Sequence, residues 1–186
     1  ERDPWRDRAI VAGPYDTSLR VNPPLRSALD ARACLDALVD GTADAVATDH
    51  APHTEVDKSV EFGAARPGIA GIETALGILL ELVDAGLLPL ERAIAALTTG
   101  PRRVLRGALG ADPEGGGHGA VHGAFVAGAE ADLVVFDRSA RWTVGADTLA
   151  TKGFGHPLAG RSIPGQVLLT VAAGRLAYDG SDAGSN

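Results

Sequence analysis

The stretch A-V-A-T-D-H-A-P-H, residues Ala45 to His53, decides the fold prediction for this chain. Ala45 to Thr48 lack the alternation of apolar and polar residues that a half-solvated strand shows, which predicts a short parallel strand covered on both faces. The strand would end at Asp49, and a side chain at that position points into the mouth where α/β folds bind ligands. The alternative is an ordinary strand followed by a polar turn, in which Asp49 caps the turn and both histidines are solvated.

Regular structure is predicted before this stretch and a long loop after it. Ser18 to Val21 predicts a short strand, because the consecutive prolines Pro23 and Pro24 cannot donate to a ladder and would end it. An approximate apolar stripe predicts a helix over residues 28–40, with Gly41 as its C-terminal stop. Residues 51–71 show no strong periodic signal, and loops of about 20 residues in compact domains are often functional.

Helices and then strands follow the loop. The i, i+3, i+4, i+7 spacing of apolar residues predicts a helix over 72–86, and two shorter helices are predicted over 90–98 and 102–109. A glycine-rich loop begins at Gly110, and strands are predicted over residues 131–136, 142–144, 166–172 and 175–178. Ala173-Gly174 is predicted to form the hairpin turn between the last two strands. The fold class is therefore α/β, with residues 1–109 forming helices and parallel strands and residues 110–186 forming a small β-rich segment.

The composition limits the class of protein and the kind of partner. Of the 186 residues 45% are hydrophobic, which is enough for a buried core in one or two domains. The net charge of −7 argues against nucleic acid or an acidic membrane as the main partner, and there is no apolar run of about 18 residues. Cys34 is the single cysteine, which fits a reducing cytoplasm. Methionine is absent even at position 1, so we expect a fragment of a larger protein.

Five residues at strand ends and in the long loop are candidates for chemistry. Asp49 could ligate a divalent metal or act as a general base. His53 could donate to an anionic substrate or bind a metal. The Asn22 amide could hydrogen-bond a carboxylate, and the backbone of Pro67 and Gly68 could approach a ligand closely because glycine lacks a Cβ. Each of the five also has a plainer interpretation as turn chemistry, which spacing alone favours.

Other polar residues have weaker functional interpretations. Glu73, in the first turn of the predicted 72–86 helix, is expected to complement the helix dipole. His118 and His122 have the i, i+4 spacing of half a metal site, but their glycine-rich surroundings are not expected to hold a helix, so no metal site is predicted there. His156 has no partner in the sequence.

Several motifs in one order resemble a known family. They are V-N-P-P-L-R (Val21 to Arg26), the stretch from Ala45 to His53, Lys58, Glu61-Phe62, P-G-I-A-G-I-E-T-A-L (Pro67 to Leu76), L-T-T-G-P (Leu97 to Pro101), G-A-E-A-D-L-V-V-F-D (Gly128 to Asp137) and the segment from Pro164 to Asp179. Together they resemble the C-terminal part of a bacterial dihydroorotase of the amidohydrolase superfamily. Of these motifs, D-H-A-P-H is fairly specific to that family.

The resemblance implies a fold, a reaction and a role for each candidate residue. The fold would be the C-terminal portion of a (β/α)8 barrel plus a small β-rich domain. The reaction would be the reversible closure of N-carbamoyl-L-aspartate to L-dihydroorotate, in pyrimidine biosynthesis, with zinc as cofactor. Asp49 would contact the metal and shuttle the proton, His53 and Asn22 would bind the substrate, and the backbone of Pro67 and Gly68 would contact it.

The sequence departs from the family pattern because the other metal ligands are missing. No His-x-His pair occurs, and a full barrel needs about 250 residues. We therefore expect the chain alone to be inactive and the larger protein to be the enzyme. Two alternatives stay open: a non-catalytic subunit that partners aspartate transcarbamoylase, or a related cyclic amidase such as an allantoinase or dihydropyrimidinase. A homo-oligomer is also compatible with the sequence.

Overall fold

The computed structural model describes residues 15–109, 127 and 131–180 of this chain. The helices and strands in these residues are a 3-10 helix (Thr17–Leu19), α1 (Ala28–Asp40), α2 (Glu55–Lys58), α3 (Ala75–Asp84), α4 (Leu90–Leu97), α5 (Thr99–Leu109), β1 (Leu133–Thr143), β2 (Ser162–Ala172) and β3 (Arg175–Asp179). The predictions for the glycine-rich loop, His118 and His122 lie outside the described residues.

The predicted helix over residues 28–40 is confirmed as α1. Ser27 caps its N-terminus, because the Ser27 side chain accepts from the Asp30 backbone N–H while the Asp30 carboxylate accepts from the Ser27 backbone N–H. Gly41 ends the helix at a φ of +90°, a left-handed conformation that glycine adopts without strain. The inner face of α1 joins a core made with α3 and α4, whose buried members are Leu35, Leu38, Leu79, Leu88, Ala93 and Ala96.

The three later helices are also confirmed, with shifted ends. α3 begins three residues after the predicted start, because residues 72–74 form a turn in which the Thr74 hydroxyl donates to the Gly71 carbonyl. α4 ends one residue early at Leu97. α5 begins at Thr99 rather than at residue 102.

Two strand predictions are wrong. Residues 45–48 form no strand, and they contact the rest of the fold through a hydrogen bond from the Val46 N–H to the Ala96 carbonyl. A central parallel strand needs a strand on each side, and no described strand flanks this segment. Ser18 to Val21 is also not a strand, because the Asp16 carboxylate accepts from the Ser18 N–H and turns the chain into a 3-10 helix.

The C-terminal strands form one antiparallel sheet in the order β1-β2-β3. The predicted strands over 131–136 and 142–144 are a single strand, β1, which continues through a register irregularity between Asp137 and Arg141. The hairpin between β2 and β3 is confirmed. Ala173 and Gly174 have φ values of +50° and +70°, and positive φ at both central residues is typical of the tight turn that matches the twist of two paired strands.

Helix α3 packs against strand β2 through two glycines. A Cβ at Gly77 would lie 2.7 Å from Ile163 Cδ1, and a Cβ at Gly165 would lie 2.6 Å from Leu80 Cδ1. Leu80 and Ile163 are both fully buried, so this contact joins residues 75–84 to the β-rich segment. The division of the chain at residues 109 and 110 stays a prediction.

The described residues thus form an α/β structure with a three-stranded antiparallel sheet. The one parallel pairing in the described part of the chain is an isolated bridge between His50 and Ile69. No helix in that part is long and apolar enough to cross a membrane.

Candidate active site

The D-H-A-P-H stretch lies beside the loop that precedes α3. His50 and Ile69 form the parallel bridge, and the Ala51 N–H donates to the Ile69 carbonyl at 2.9 Å. The His50 Nδ1 accepts from the Ile72 N–H at 3.2 Å, so this histidine, which had no predicted role, anchors the turn before α3. The two segments that carry four of the five candidate residues are therefore adjacent.

Asp49 is exposed and has an unusual backbone conformation. Its φ is +45°, in the left-handed region where aspartate is found more often than most residues. No hydrogen bond or salt bridge in the described part of the chain involves its carboxylate. The plainer interpretation required this carboxylate to cap the following turn, and that contact is not formed among the described residues. The Asp49 carboxylate is thus available to solvent or to a ligand.

His53 contacts the Pro67–Gly68 turn through its side chain. Its Nε2 lies 3.1 Å from the Pro67 carbonyl oxygen, and because a carbonyl only accepts, Nε2 carries the proton of this hydrogen bond. The His53 carbonyl accepts from the Phe154 N–H at 2.9 Å. The ring nitrogen Nδ1 remains as the polar atom of this side chain that a ligand could meet.

Gly68 is held by contacts that leave no room for a side chain. Its φ is +153°, and a Cβ would lie 2.7 Å from the Ala51 carbonyl oxygen and 2.8 Å from His53 Nε2. The Gly68 N–H donates to the Arg20 carbonyl at 2.8 Å, and the Gly68 carbonyl accepts from Lys58 Nζ at 2.7 Å. The Gly68 N–H is therefore occupied, so a ligand could use the second lone pair of the Pro67 or Gly68 carbonyl.

Asn22 lies in an exposed turn that begins with a cis Asn22–Pro23 peptide bond. No hydrogen bond among the described residues involves its side chain. The segment just before it is tied to the Pro67–Gly68 turn, because the Arg20 carbonyl accepts from Gly68. The structure therefore brings the segment of Asn22 next to the turn that His53 contacts.

Lys58 is a site residue whose role sequence reasoning missed. It ends α2 and is only 3% exposed, and its ammonium group donates to the carbonyls of Thr17, Arg20 and Gly68. Burial lowers the pKa of Lys58 from its ordinary value, the nearby Arg20 cation lowers it further, and Asp16 opposes both effects. The T-x-x-D pattern from Thr54 to Asp57 forms a capping box and could have indicated a short helix here.

Glu73 has a contact that differs from its predicted role. Its two carboxylate oxygens accept from the backbone N–H groups of Ala150 and Thr151 at 2.8 and 2.9 Å. These contacts hold residues 150–154, which we call the covering segment, over the D-H-A-P-H stretch. A Cβ at Gly153 in this segment would lie 2.9 Å from the Pro52 Cβ. Glu73 thus positions a loop some 77 residues away in sequence, which no local pattern could show.

His156 lies just after the covering segment and is half-buried. Its Nδ1 accepts from the Leu158 N–H at 3.0 Å, and its Nε2 lies 3.5 Å from the Thr74 hydroxyl. Burial lowers the pKa of His156 from its ordinary value, while a hydrogen bond that the ring donates to the Ala70 backbone and the nearby Glu73 carboxylate partly oppose this. A neutral imidazole is therefore favoured at this contact.

The described residues do not form a metal centre on their own. No group of three or more histidine, cysteine, aspartate or glutamate side chains comes together in the described part of the chain. A protein zinc site uses three or four such ligands, and Asp49 could supply one carboxylate oxygen.

The chain is similar to curated dihydroorotases over nearly all of its length. It is 44% identical over 173 residues to the dihydroorotase of Anaeromyxobacter dehalogenans strain 2CP-1, a match that covers 93% of this chain and 37% of that protein. It is 41% identical over 171 residues to the dihydroorotase of Pelotomaculum thermopropionicum, covering 91% of this chain and 36% of that protein. The chain is a homologue of part of a dihydroorotase. The chain spans about 37% of the length of the Anaeromyxobacter dehalogenans dihydroorotase. No family model matches the chain.

Solved structures of related enzymes share the fold of this dihydroorotase homologue. The L-hydantoinase (dihydropyrimidinase) from Arthrobacter aurescens matches with a TM-score of 0.73 and 25% identity, covering 89% of this chain and 35% of that one. The D-hydantoinase (dihydropyrimidinase) from Thermus sp. matches with a TM-score of 0.70 and 27% identity, covering 88% and 34%. The predicted resemblance to the amidohydrolases is thereby confirmed.

Proposed function

We propose that this chain forms the proton-transfer and substrate-binding side of a dihydroorotase, which interconverts N-carbamoyl-L-aspartate and L-dihydroorotate. The observation that carries the proposal is the convergence of Asp49, His53 and the Pro67–Gly68 turn at adjoining loops in a chain 44% identical to a dihydroorotase. Because the chain spans about 37% of that relative, the activity is proposed for a protein that also contains the remaining parts.

Asp49 is the proposed proton shuttle. In the hydrolytic direction water adds to the ring amide carbonyl, the carbon–nitrogen bond breaks, and one proton must pass from the water to the departing nitrogen. A carboxylate can take that proton and deliver it, provided that it is free to move between the two positions. The Asp49 carboxylate is exposed and makes no hydrogen bond with a described residue, which suits this role.

His53 and Asn22 are the proposed substrate-binding residues. The open substrate is a dianion and the ring form keeps one carboxylate, so the site needs hydrogen-bond donors. The Asn22 side chain is exposed and makes no hydrogen bond with a described residue, and its amide can donate twice. The His53 Nε2–H donates to the Pro67 carbonyl, which fixes the direction of the ring, and Nδ1 donates to a substrate carboxylate when both ring nitrogens carry a proton.

Zinc is the proposed cofactor, although the described residues alone do not fit a zinc site. We propose that one Asp49 oxygen would face the metal while the other takes up the proton, and that the remaining ligands come from parts of the protein outside this chain. Bound zinc polarises carbonyl groups and makes water more acidic. We propose that the rest of a (β/α)8 barrel likewise lies outside this chain. The parallel bridge between His50 and Ile69 supports a barrel.

The cellular setting and the assembly are further proposals. A cytoplasmic protein fits the single cysteine, and either a homo-oligomer or a complex with aspartate transcarbamoylase would fit a pyrimidine enzyme. Mass measurement of the complete gene product with and without that partner would decide between these assemblies.

The test is a substrate comparison with the complete gene product, purified with zinc present. We expect kcat/KM for L-dihydroorotate to exceed that for hydantoin, dihydrouracil and allantoin by at least about 100-fold, because a site built to bind a carboxylate leaves its polar groups unpaired with analogues that lack one. The similarity to hydantoinase structures makes a hydantoin or dihydropyrimidine the second candidate. A preference for either ring would replace the proposal, and no turnover of any substrate would favour a non-catalytic subunit.

A further inference from the structure

The buried ammonium group of Lys58 has an unusual set of partners. All three of its acceptors are backbone carbonyls: Gly68 at 2.7 Å, Thr17 at 3.1 Å and, as the longest contact, Arg20 at 3.5 Å. It forms no salt bridge with a described carboxylate. A buried lysine without an ionic partner is uncommon, because the charge loses its hydration and must be compensated by hydrogen bonds.

Lys58 is poorly placed to touch a substrate. Its side chain is 3% exposed, and an ammonium group has three N–H donors, all of which are used by the three carbonyls. Its ordinary role as a free cation on the surface is therefore excluded. What it does instead must follow from the segments that it joins.

Those segments carry the proposed substrate-binding residues. Thr17 and Arg20 precede Asn22, Gly68 belongs to the turn that His53 contacts, and Lys58 itself follows His53 at the end of α2. The Arg20 carbonyl accepts from both Lys58 and the Gly68 N–H, so one oxygen takes part in two of the hydrogen bonds that join these segments. The carbonyl of Gly68 is held by Lys58 and its N–H by Arg20.

We propose that Lys58 is a positioning residue that holds the Asn22 segment, the end of α2 and the Pro67–Gly68 turn in the one arrangement that binds substrate. Its charge strengthens three hydrogen bonds to neutral carbonyls, and its long aliphatic stem fills the space between the segments. Without it the Gly68 carbonyl is left without its donor, and the turn is held only by the hydrogen bond from the Gly68 N–H to Arg20 and by the contact between Pro67 and His53. This role rests on the proposed dihydroorotase function.

The test compares Lys58→Met, Lys58→Arg and wild type in the complete gene product. In Lys58→Met we expect kcat/KM for L-dihydroorotate to fall by up to about 100-fold, since small misplacements of substrate-positioning groups have effects of that size. Most of the fall should be in KM, because Asp49 is not displaced directly. Lys58→Arg keeps a charged donor and should recover part of the loss.

Ser27→Ala is the control for stability. It removes the cap of α1 and should lower the denaturation midpoint without touching the three segments. If Lys58→Met lowers kcat/KM no more than Ser27→Ala does, once unfolded protein is discounted, Lys58 is merely structural and the proposal is overturned.

Hydrogen exchange separates this proposal from the proposed function. Faster exchange in Lys58→Met at residues 17–22 and 66–70, but not in α4, is expected if Lys58 ties these segments. An inactive wild type would overturn the dihydroorotase assignment and with it the substrate role of Lys58, while the exchange data would still show whether Lys58 holds the two segments together. Unchanged exchange at both segments would show that it does not.

Discussion

Asp49 is the residue on which the proposed chemistry depends most directly. Asp49→Asn keeps the size and the polarity of the side chain but removes its ability to take up a proton. We expect kcat of the complete protein to fall by about 100-fold or more, in line with the usual contribution of a general acid–base group, with KM changed much less. Steady-state kinetics with L-dihydroorotate measures both constants, and a kcat near that of wild type would exclude Asp49 as the shuttle.

Gly68 gives a second test at the scale of one residue. Gly68→Ala places a methyl group within 2.8 Å of His53 Nε2 and of Ala51, at a φ that disfavours a side chain. We expect a loss of about 1–3 kcal/mol of unfolding free energy, as for other overpacked sites, together with a lower kcat/KM.

Gly63→Ala is the matched control for that change. A Cβ at Gly63 meets nothing within 4 Å, and this glycine lies in the same long loop. Chemical denaturation should leave Gly63→Ala within about 0.5 kcal/mol of wild type, as is usual for surface substitutions. Equal losses of unfolding free energy in both variants would show that the close contacts at Gly68 do not affect stability.

At the scale of elements, the unfolding free energy is expected to depend on pH through His156. This residue follows the covering segment and contacts Thr74 in the turn before α3. The pKa of His156 is lowered in the folded protein, from an ordinary value of 6.5, so below that pH the unfolded chain binds a proton that the folded chain resists. This contribution to stability is fully present above pH 6.5 and is lost as the pH falls toward the folded pKa. Urea denaturation at pH 7.5, 6.5 and 5.5 measures the slope.

His156→Gln provides the comparison for this pH effect. Glutamine does not titrate, so the fall of the unfolding free energy between pH 7.5 and pH 5.5 should be shallower in this variant than in wild type. Parallel curves for the two proteins would mean that His156 contributes nothing to the pH dependence.

Elements determined by residues close together in the sequence could be predicted, and elements that depend on distant partners could not. α1 could be placed because its apolar stripe and its Gly41 stop lie within 14 residues of sequence. The β2–β3 hairpin could be placed because Ala173-Gly174 specifies its own turn. Residues 45–48 were predicted as a strand from composition, but strand pairing depends on partners that composition does not reveal.

The candidate site divides in the same way. Asp49, His53 and the Pro67–Gly68 turn could be proposed as site residues because motif order marked them, and the structure places their segments next to each other. Lys58 and Glu73 could not be assigned their contacts, because the carbonyls that Lys58 reaches are 10 to 41 residues away and the N–H groups that Glu73 reaches are 77 and 78 residues away. Hydrogen bonds to distant backbone groups leave no periodic trace in a sequence.

At the scale of the whole molecule, the chain by itself should not turn over L-dihydroorotate. A single carboxylate does not hold a catalytic metal, and no cluster of metal ligands exists among the described residues. The measurement is an assay of the purified 186-residue protein with added zinc, beside the complete gene product as the positive control. Turnover by the shorter protein at a comparable rate would contradict this expectation.

The meeting of Gly77 with Ile163, and of Gly165 with Leu80, has a consequence for recombination between relatives. In each pair the missing side chain on one element makes room for the large one on the other, so the two halves of the contact are matched in size across some 85 residues of chain. A chimaera whose crossover falls between α3 and β2 would inherit the two halves from different parents. Such hybrids should fold only when both parents carry the same pairing of small and large residues, whereas crossovers outside this interval keep each matched pair in one piece.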